Sequence, residues 1–400
     1  MKTSKYLILG GGMVAGYAAK QLVESGLKSG ELTIVSADGS IPYERPPLSK
    51  TFLAGKDTET SILISADDFY GKHEIEIRLN CIADSVDAAR KSVRLHSGEE
   101  IGFEKLIVAT GARIKALDIP GADSKGLYYL RTLEDSKRIR GEAGNAKRAV
   151  VIGGGFIAME VTSVLAQKGI ETTMVLPDDR IWKRFFTPPM SQFFEQYYTK
   201  RGVRFAKNTK VVELTGTDAI KSVVLQNGEI LDCDMVVAGI GVTPVTEPLV
   251  NSGIALADGV VVNEYLETNQ PVILAAGDVA NYDDVLFDKQ RREEHWDNAV
   301  TQGQYCARTL LGERTPFVHV PYFFSDVFDL AYEFWGDASG AEEIVVRGDS
   351  SSTSFSVWWL RRGRLVAAFL MNRPDEEREA APRMIQTKEQ ASAETLPGAQ

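Results

Sequence analysis

A chain of 400 residues with a net charge of −10 has room for two or three domains, each with its own apolar core. Its 44% hydrophobic and 25% charged residues are ordinary for a globular protein, and the negative balance disfavours nucleic acid and anionic lipid as partners. Three cysteines, Cys81, Cys233 and Cys306, stand far apart, which argues against a disulfide framework, a zinc site or a near-neighbour dithiol.

Residues 6–9 form a short apolar run that stops at glycines. The run is too short for a signal peptide or for the ~18 residues of a membrane span, so it reads as a first β-strand in a protein of a reducing, cytoplasm-like compartment. Residues 13–25 carry Val14, Ala18 and Leu22 at helical spacing, and residues 32–35 form a second buried strand. The same order returns with a strand at 149–152, glycines at 153–155, a helix at 156–168 and a strand at 172–176. Two copies of one βαβ unit thus begin about 143 residues apart.

Between the copies, residues 75–103 alternate in β fashion, and 106–109 is a strand ending at Thr110–Gly111. Residues 203–237 are expected to be antiparallel strands, with a hairpin turn at Asn227–Gly228. Residues 260–262 and 272–275 read as strands and 296–312 as a helix. Residues 316–372 turn aromatic, with Phe323, Phe324, Trp335, Trp358 and Trp359, and mark a separate α+β module. Residues 389–400 are polar and Ala-rich and are expected to be a disordered tail.

The two glycine turns carry the chemistry. The first reads Gly10-x-Gly12-x-x-Ala15 and the second Gly153-x-Gly155-x-x-Ala158. In such a turn the first glycine permits the reversal, the second admits a pyrophosphate, and the small third residue lets helix and strand approach. One copy alone is a weak signal. Two copies, each after a strand and before a helix, specify two dinucleotides, one reducing the other. An acidic residue after the second strand of each unit accepts a ribose diol. The candidates are Ser36 or Asp38 in the first unit and Asp178 or Asp179 in the second. A carboxylate ~4 Å from a 2′-phosphate repels it by about 4 kcal/mol at an effective dielectric of 20, which favours NADH. Arg180, Lys183 and Arg184 lie close by as an alternative receptor for that phosphate and keep NADPH open. His73, His96 and His319 are isolated and suggest no metal site.

A wider set of strings now comes together: residues 10–12 with Tyr17, the string PYERPPLSK at 42–50, Ala109-Thr110-Gly111, residues 153–155 with Glu160, Gly277-Asp278, and Glu294-His295-Trp296. Over residues 5–372 the chain resembles the flavoprotein group of ferredoxin and rubredoxin reductases, monodehydroascorbate reductases and apoptosis-inducing-factor-like oxidoreductases. The resemblance implies an α/β fold with two Rossmann-like dinucleotide-binding domains, glutathione-reductase-like, plus a C-terminal α+β domain. It implies an FAD-binding domain at 1–115 and 246–315, an NAD(P)H-binding domain at 116–245 and an acceptor-side domain at 316–388. It also implies FAD and NADH as cofactors, with Lys50 beside the flavin and Glu160 paired to Lys50 and helping to hold the nicotinamide. Arg45, Asp278, Trp296, the Ala109–Gly111 turn, Gly277 and Gly241 complete the expected cofactor contacts. Disulfide reductases of this fold carry a cysteine pair near residues 42–50, and this chain has none.

The acceptor is read from the C-terminal third. Residues 172–198 and 366–370 resemble monodehydroascorbate reductases. That group's ascorbyl-binding arginine and tyrosine fall on Val300 and Phe324 here, and Asp326 replaces a further arginine. Ser325-Asp326 is instead similar to ferredoxin reductases. The expected partner is a small electron-transfer protein of the ferredoxin or rubredoxin type. A monodehydroascorbate- or quinone-type small-molecule acceptor is the alternative, as is an NADH-sensing flavoprotein. A monomer or homodimer is expected.

Overall fold

The computed structural model describes residues 2–183 and 185–398. The chain divides into two compact units. One gathers the chain up to Arg45, then Glu59–Arg113 and Thr243–Tyr322; the other gathers Pro46–Thr58, Ile114–Val242 and the chain from Phe323 onward.

The first unit is built on a seven-stranded sheet. Lys2–Leu9 lies at its centre, between Leu32–Val35 and Glu100–Val108, and all three run parallel. Glu76–Arg78 extends one side and Ile273–Ala275 pairs with Glu100–Val108, while Ser92–Leu95 and Ala83–Asp87 add an antiparallel flank. Residues 6–9, 32–35 and 106–108 are buried without alternation, as expected of a parallel sheet covered on both faces. Two helices, Met13–Glu24 and Trp296–Leu310, cross at close range. A Cβ on Gly303 would come within 2.8 Å of the Val14 carbonyl oxygen, so only glycine allows the approach. A smaller sheet of Leu256–Ala257, Gly259–Val262, Ala280–Asp284 and Lys289–Arg291 completes the unit.

The second unit holds a five-stranded parallel sheet. Its order is Arg204–Ala206, Glu171–Val175, Arg148–Ile152, Met235–Ala238 and Leu127–Tyr129. This corrects the expectation of antiparallel strands throughout 203–237. Only Val211–Thr215, Ser222–Leu225 and Ile230–Asp232 are antiparallel, turning at Gly228 with φ +86°. The flanking strands, half-exposed Arg204–Ala206 and buried Met235–Ala238, are short runs, and neither length nor burial encodes strand direction.

The C-terminal residues form a five-stranded sheet in the order Tyr322–Val327, Leu330–Gly336, Arg364–Met371, Phe355–Arg361, Glu343–Gly348. The helix Asp375–Thr387 buries Ala380, Ala381, Met384 and Ile385. Its Glu377 is 2% exposed and accepts from Ser356 Oγ (2.7 Å) and from the Arg373 guanidinium. Sequence reading separates the C-terminal module from the second nucleotide-binding sheet, yet both lie in one unit. Aromatic rings explain why: Phe156 meets Phe323 (4.4 Å), Phe194 meets Tyr332 (5.2 Å) and Phe193 meets Phe355 (5.6 Å). Such pairs add about 0.5–1.5 kcal/mol each beyond the area they bury.

Residues 389–398 are not the disordered tail expected from composition. The Ala391 N–H donates to the Gly363 carbonyl (2.8 Å), Gln390 bridges to Arg364, and Leu396 is 2% exposed. Two apolar residues with somewhere to bury, Ala391 and Leu396, outweigh a polar composition.

The helix crossing yields a test. Gly303→Val is expected to lower the unfolding free energy by about 1–3 kcal/mol, the usual cost of overpacking. A urea midpoint equal to that of the parent chain would show that the crossing yields freely.

Candidate functional sites in the two units

The two glycine turns are built alike. Gly10 (φ +124°) and Gly153 (φ +127°) each follow a central strand, and their N–H groups donate to Val35 O (2.8 Å) and Val175 O (2.9 Å). A Cβ on Gly10 would lie 1.9 Å from the Ala109 carbonyl oxygen, and one on Gly153 2.3 Å from that of Gly239. Both helices close with the same left-handed cap. The N–H groups of Gly26 and Leu27 donate to Val23 O and Leu22 O, and those of Gly169 and Ile170 to Ala166 O and Leu165 O. The internal repeat is therefore one of hydrogen bonds as well as of residue types.

In the first unit, Gly12 caps Met13–Glu24 with no side-chain bond, so no capping side chain claims the first-turn amides. The Arg45 guanidinium stands 3.7 Å from where a Gly12 Cβ would be. Ala15 is fully buried at the helix–strand contact. Amides without a side-chain cap, a positive helix end and a guanidinium are the donor set that a dinucleotide pyrophosphate requires. Ser36 is buried under Gly11. Asp38 is half-buried and accepts from Tyr43 Oη (2.7 Å) and from the Ser40 N–H (3.2 Å). Thr110 donates to Val245 O (2.7 Å), and Gly111 has φ +68°. The Gly277 N–H donates to Gln302 Oε1 (2.7 Å), and the half-buried Asp278 follows in a short 3-10 turn.

Trp296 opens its helix and donates its indole N–H to Glu44 Oε2 (2.6 Å), while Tyr17 Oη donates to Glu44 Oε1 (2.5 Å). Burial, then the Glu44 carboxylate, push the Tyr17 phenol well above its ordinary range, so it remains a donor. Sequence reasoning noted Tyr17 and Trp296 separately and missed the carboxylate that joins them. Its signal lay in the string at 42–50.

In the second unit, Gly155 caps Phe156–Gln167, again without a side-chain bond, and nothing lies within 4 Å of where its Cβ would be. Ala158 is buried against Gly239. Gly239 matches Ala109 of the first unit and was not singled out in the sequence. Gly241 lies two residues on with φ +101°. Asp178 is exposed beyond Glu171–Val175. Asp179 is paired with Lys183 (2.9 Å) and Arg180 (3.4 Å), and the lysine's hydrogen bond holds its carboxyl below the usual range. Arg184 lies outside the described residues.

Glu160, fifth in its helix, is 5% exposed. Lys50 Nζ lies 3.1 Å from its Oε1, Ser325 Oγ donates to the same oxygen (2.5 Å), and Ser49 Oγ donates to the other. The Lys50 ammonium also lies 4.8 Å from the Phe324 ring centroid. A buried carboxylate is costly unless paired and hydrogen-bonded, and three donors from two segments, 49–50 and 325, meet that requirement. Lys50 with Glu160 is an expected pair. The two serines were missed: Ser49 is hidden inside a recognised string, and nothing near Ser325 in sequence points to a residue 165 positions away.

Comparison with known proteins places these sites in context. The profile of the pyridine nucleotide-disulphide oxidoreductases matches residues 4–303, and that of the reductase C-terminal domain matches 322–399. The chain is 35% identical to monodehydroascorbate reductase 4, peroxisomal, of Arabidopsis thaliana, over 96% of this chain and 82% of that one. It is 36% identical to the 5,5'-dehydrodivanillate O-demethylase ferredoxin reductase subunit of Sphingobium sp., over 92% and 90%. The fold is similar to the covalent putidaredoxin reductase–putidaredoxin complex, with a TM-score of 0.92 and 30% identity over 97% of this chain and 94% of that one.

The carboxylate's surroundings can be tested. Ser325→Ala removes one hydrogen bond to a buried charge and is expected to cost about 1.5–3 kcal/mol of unfolding free energy, with Ser325→Thr costing less. Urea midpoints that agree between alanine variant and parent would show the bond contributes nothing.

Proposed function

The chain belongs to the pyridine nucleotide-disulphide oxidoreductase family, and we propose that it is an NADH-dependent FAD reductase for a small iron–sulfur electron carrier. The observation carrying the carrier reading is that Val300 and Phe324, where ascorbyl-reducing members resembling this chain place an arginine and a tyrosine, are both apolar. Val300 is buried, and the Phe324 ring offers Lys50 a face but no hydroxyl. Asp326, exposed on the same strand as Phe324, adds negative charge that an anionic small acceptor would meet unfavourably. The Sphingobium relative, named as a ferredoxin reductase subunit, supports the reading. The second reading, a monodehydroascorbate-type reductase, is favoured by the Arabidopsis relative.

FAD and NAD(P)H are the cofactors of this family. The residues at the two turns fit two dinucleotides, and bound FAD supplies the conversion of a hydride's two electrons into single ones. Gly10, Gly12 and Arg45 hold the FAD pyrophosphate. Asp278 accepts from its polyol chain, and Trp296, oriented by Glu44, serves its ring system. Gly153, Gly155 and Ala158 hold NADH. Asp178 accepts its ribose diol and repels a 2′-phosphate, while Arg180 and Lys183 are drawn to Asp179 instead. Lys50 supplies positive charge to the electron-rich reduced flavin. Glu160 fixes the Lys50 ammonium and helps orient the nicotinamide. Three unpaired thiols fit a reducing, cytoplasm-like compartment. Among the described residues no helix is long and apolar enough to cross a membrane.

Anaerobic NADH should bleach the flavin band, and a ferredoxin should restore it faster than an ascorbyl radical or a quinone; the reverse order would transfer the assignment to the second reading. Lys50→Ala and Glu160→Ala are each expected to slow bleaching by about 10–100-fold with FAD retained. Unchanged rates in both would remove the pair from the mechanism. Asp178→Ala should lower kcat/KM for NADH relative to NADPH by about tenfold, which corresponds to ~1.4 kcal/mol; an unaltered ratio assigns the ribose contact elsewhere.

A further inference from the structure

The strand Glu343–Gly348 ends the C-terminal sheet and has Phe355–Arg361 as its single partner among the described residues. An edge strand presents unpaired backbone N–H and C=O groups, and proteins commonly protect it with a proline, a bulge or repelling charges. Of these only charges occur here, and the two, Glu343 and Arg347, are of opposite sign. The strand has no proline, and its register with Phe355–Arg361 runs unbroken from Glu343 to Gly348. Its Val345 is buried at 8% exposure, whereas Ile344 and Val346 on the opposite face are 51% and 47% exposed. Glu343 and Arg347 stand at either side of this trio with opposite signs.

We propose that this edge pairs antiparallel with the same edge of a second copy, about a two-fold axis at Val345. A two-fold contact sets residue i against j and j against i. Centred on Val345, it places Glu343 opposite the partner's Arg347, and Ile344 opposite the partner's Val346. Each opposition occurs twice. Both charged pairs attract, and four exposed β-branched side chains cover one another on one face. The neighbouring registers fail. Centring on Val346 sets Glu343 against the partner's Asp349, a like charge. Centring on Ile344 sets Glu342 against the partner's Val346 and leaves Arg347 against the partner's Ala341. The Arg347 guanidinium is already anchored on the Ala393 carbonyl, so its position is fixed before a second copy arrives. The partner is thus another copy of this chain, joined by strand addition. The contact is small, so the dimer is weak.

Sedimentation velocity on the FAD-loaded protein, from about 5 to about 500 µM, provides the test. The parent chain should move from monomer to dimer over that range. Glu343→Arg and Arg347→Glu should each weaken self-association by about tenfold or more, because each makes both charged pairs repulsive. Mixing the two variants should restore association as a dimer of one of each, since every cross pair then attracts. NADH-driven flavin bleaching should be unchanged in both, which separates this inference from the proposed activity. A parent chain that stays monomeric throughout, or variants that fail to associate when mixed, would overturn the proposal.

Discussion

A strand that must become a helix within three residues, while a neighbouring strand's carbonyl presses on the turn, is the constraint on which the two nucleotide sites depend. Gly10 and Gly153 meet it in the same way. Both adopt a φ that L side chains rarely accept, and both leave no room for a Cβ beside Ala109 or Gly239. Because the strand ends there, the helix amides emerge at the sheet's carboxyl edge, where anions are best held. The glycines do not contact a ligand through side chains. They leave backbone donors without a capping side chain, and Arg45 or open space at Gly155 completes each cradle.

The second constraint is the buried carboxylate of Glu160. Its donors come from residues 49–50 and 325, so no local segment can form the cage alone. That explains why the short stretch 46–58 groups with the second unit although it interrupts the first in sequence. The same unit contains the aromatic seam. Trp182 takes a left-handed backbone, φ +51°, which costs about 1–2 kcal/mol for a residue with a side chain. Its N–H bonds to Gly154 O (3.0 Å), and its ring meets Phe156 (4.0 Å) and Tyr332 (5.4 Å). The strained residue thus ties the second glycine turn to the C-terminal sheet.

Periodicity revealed the βαβ repeats because strand, glycine turn and helix are local features, each within reach of one short window. Strand direction at 204–206 and 235–238 was illegible, since a short run looks the same whether its neighbour is parallel or antiparallel. Lys50 with Glu160 and the Gly10 and Gly153 turns were visible as residue types in strings. Ser325 and Glu44 act through long-range contacts, and their role is set by where the chain returns, which spacing does not record. The tail at 389–398 was misread because composition averages over residues, whereas burial was decided by two of them, Ala391 and Leu396.

The cysteines bear on how electrons leave. A dithiol relay requires two thiols close together, with at least one readily becoming a thiolate. Cys306 is fully buried in apolar surroundings that push its thiol far up, and burial raises the Cys233 thiol to about 12. Cys81 is half-buried and hydrogen-bonded to its own segment at Leu79. All three are unpaired, and the two buried ones are held as neutral thiols at neutral pH. Reducing equivalents therefore have no protein sulfur pair through which to pass. The acceptor must be served by the bound flavin directly, and its choice does not rest on thiol chemistry.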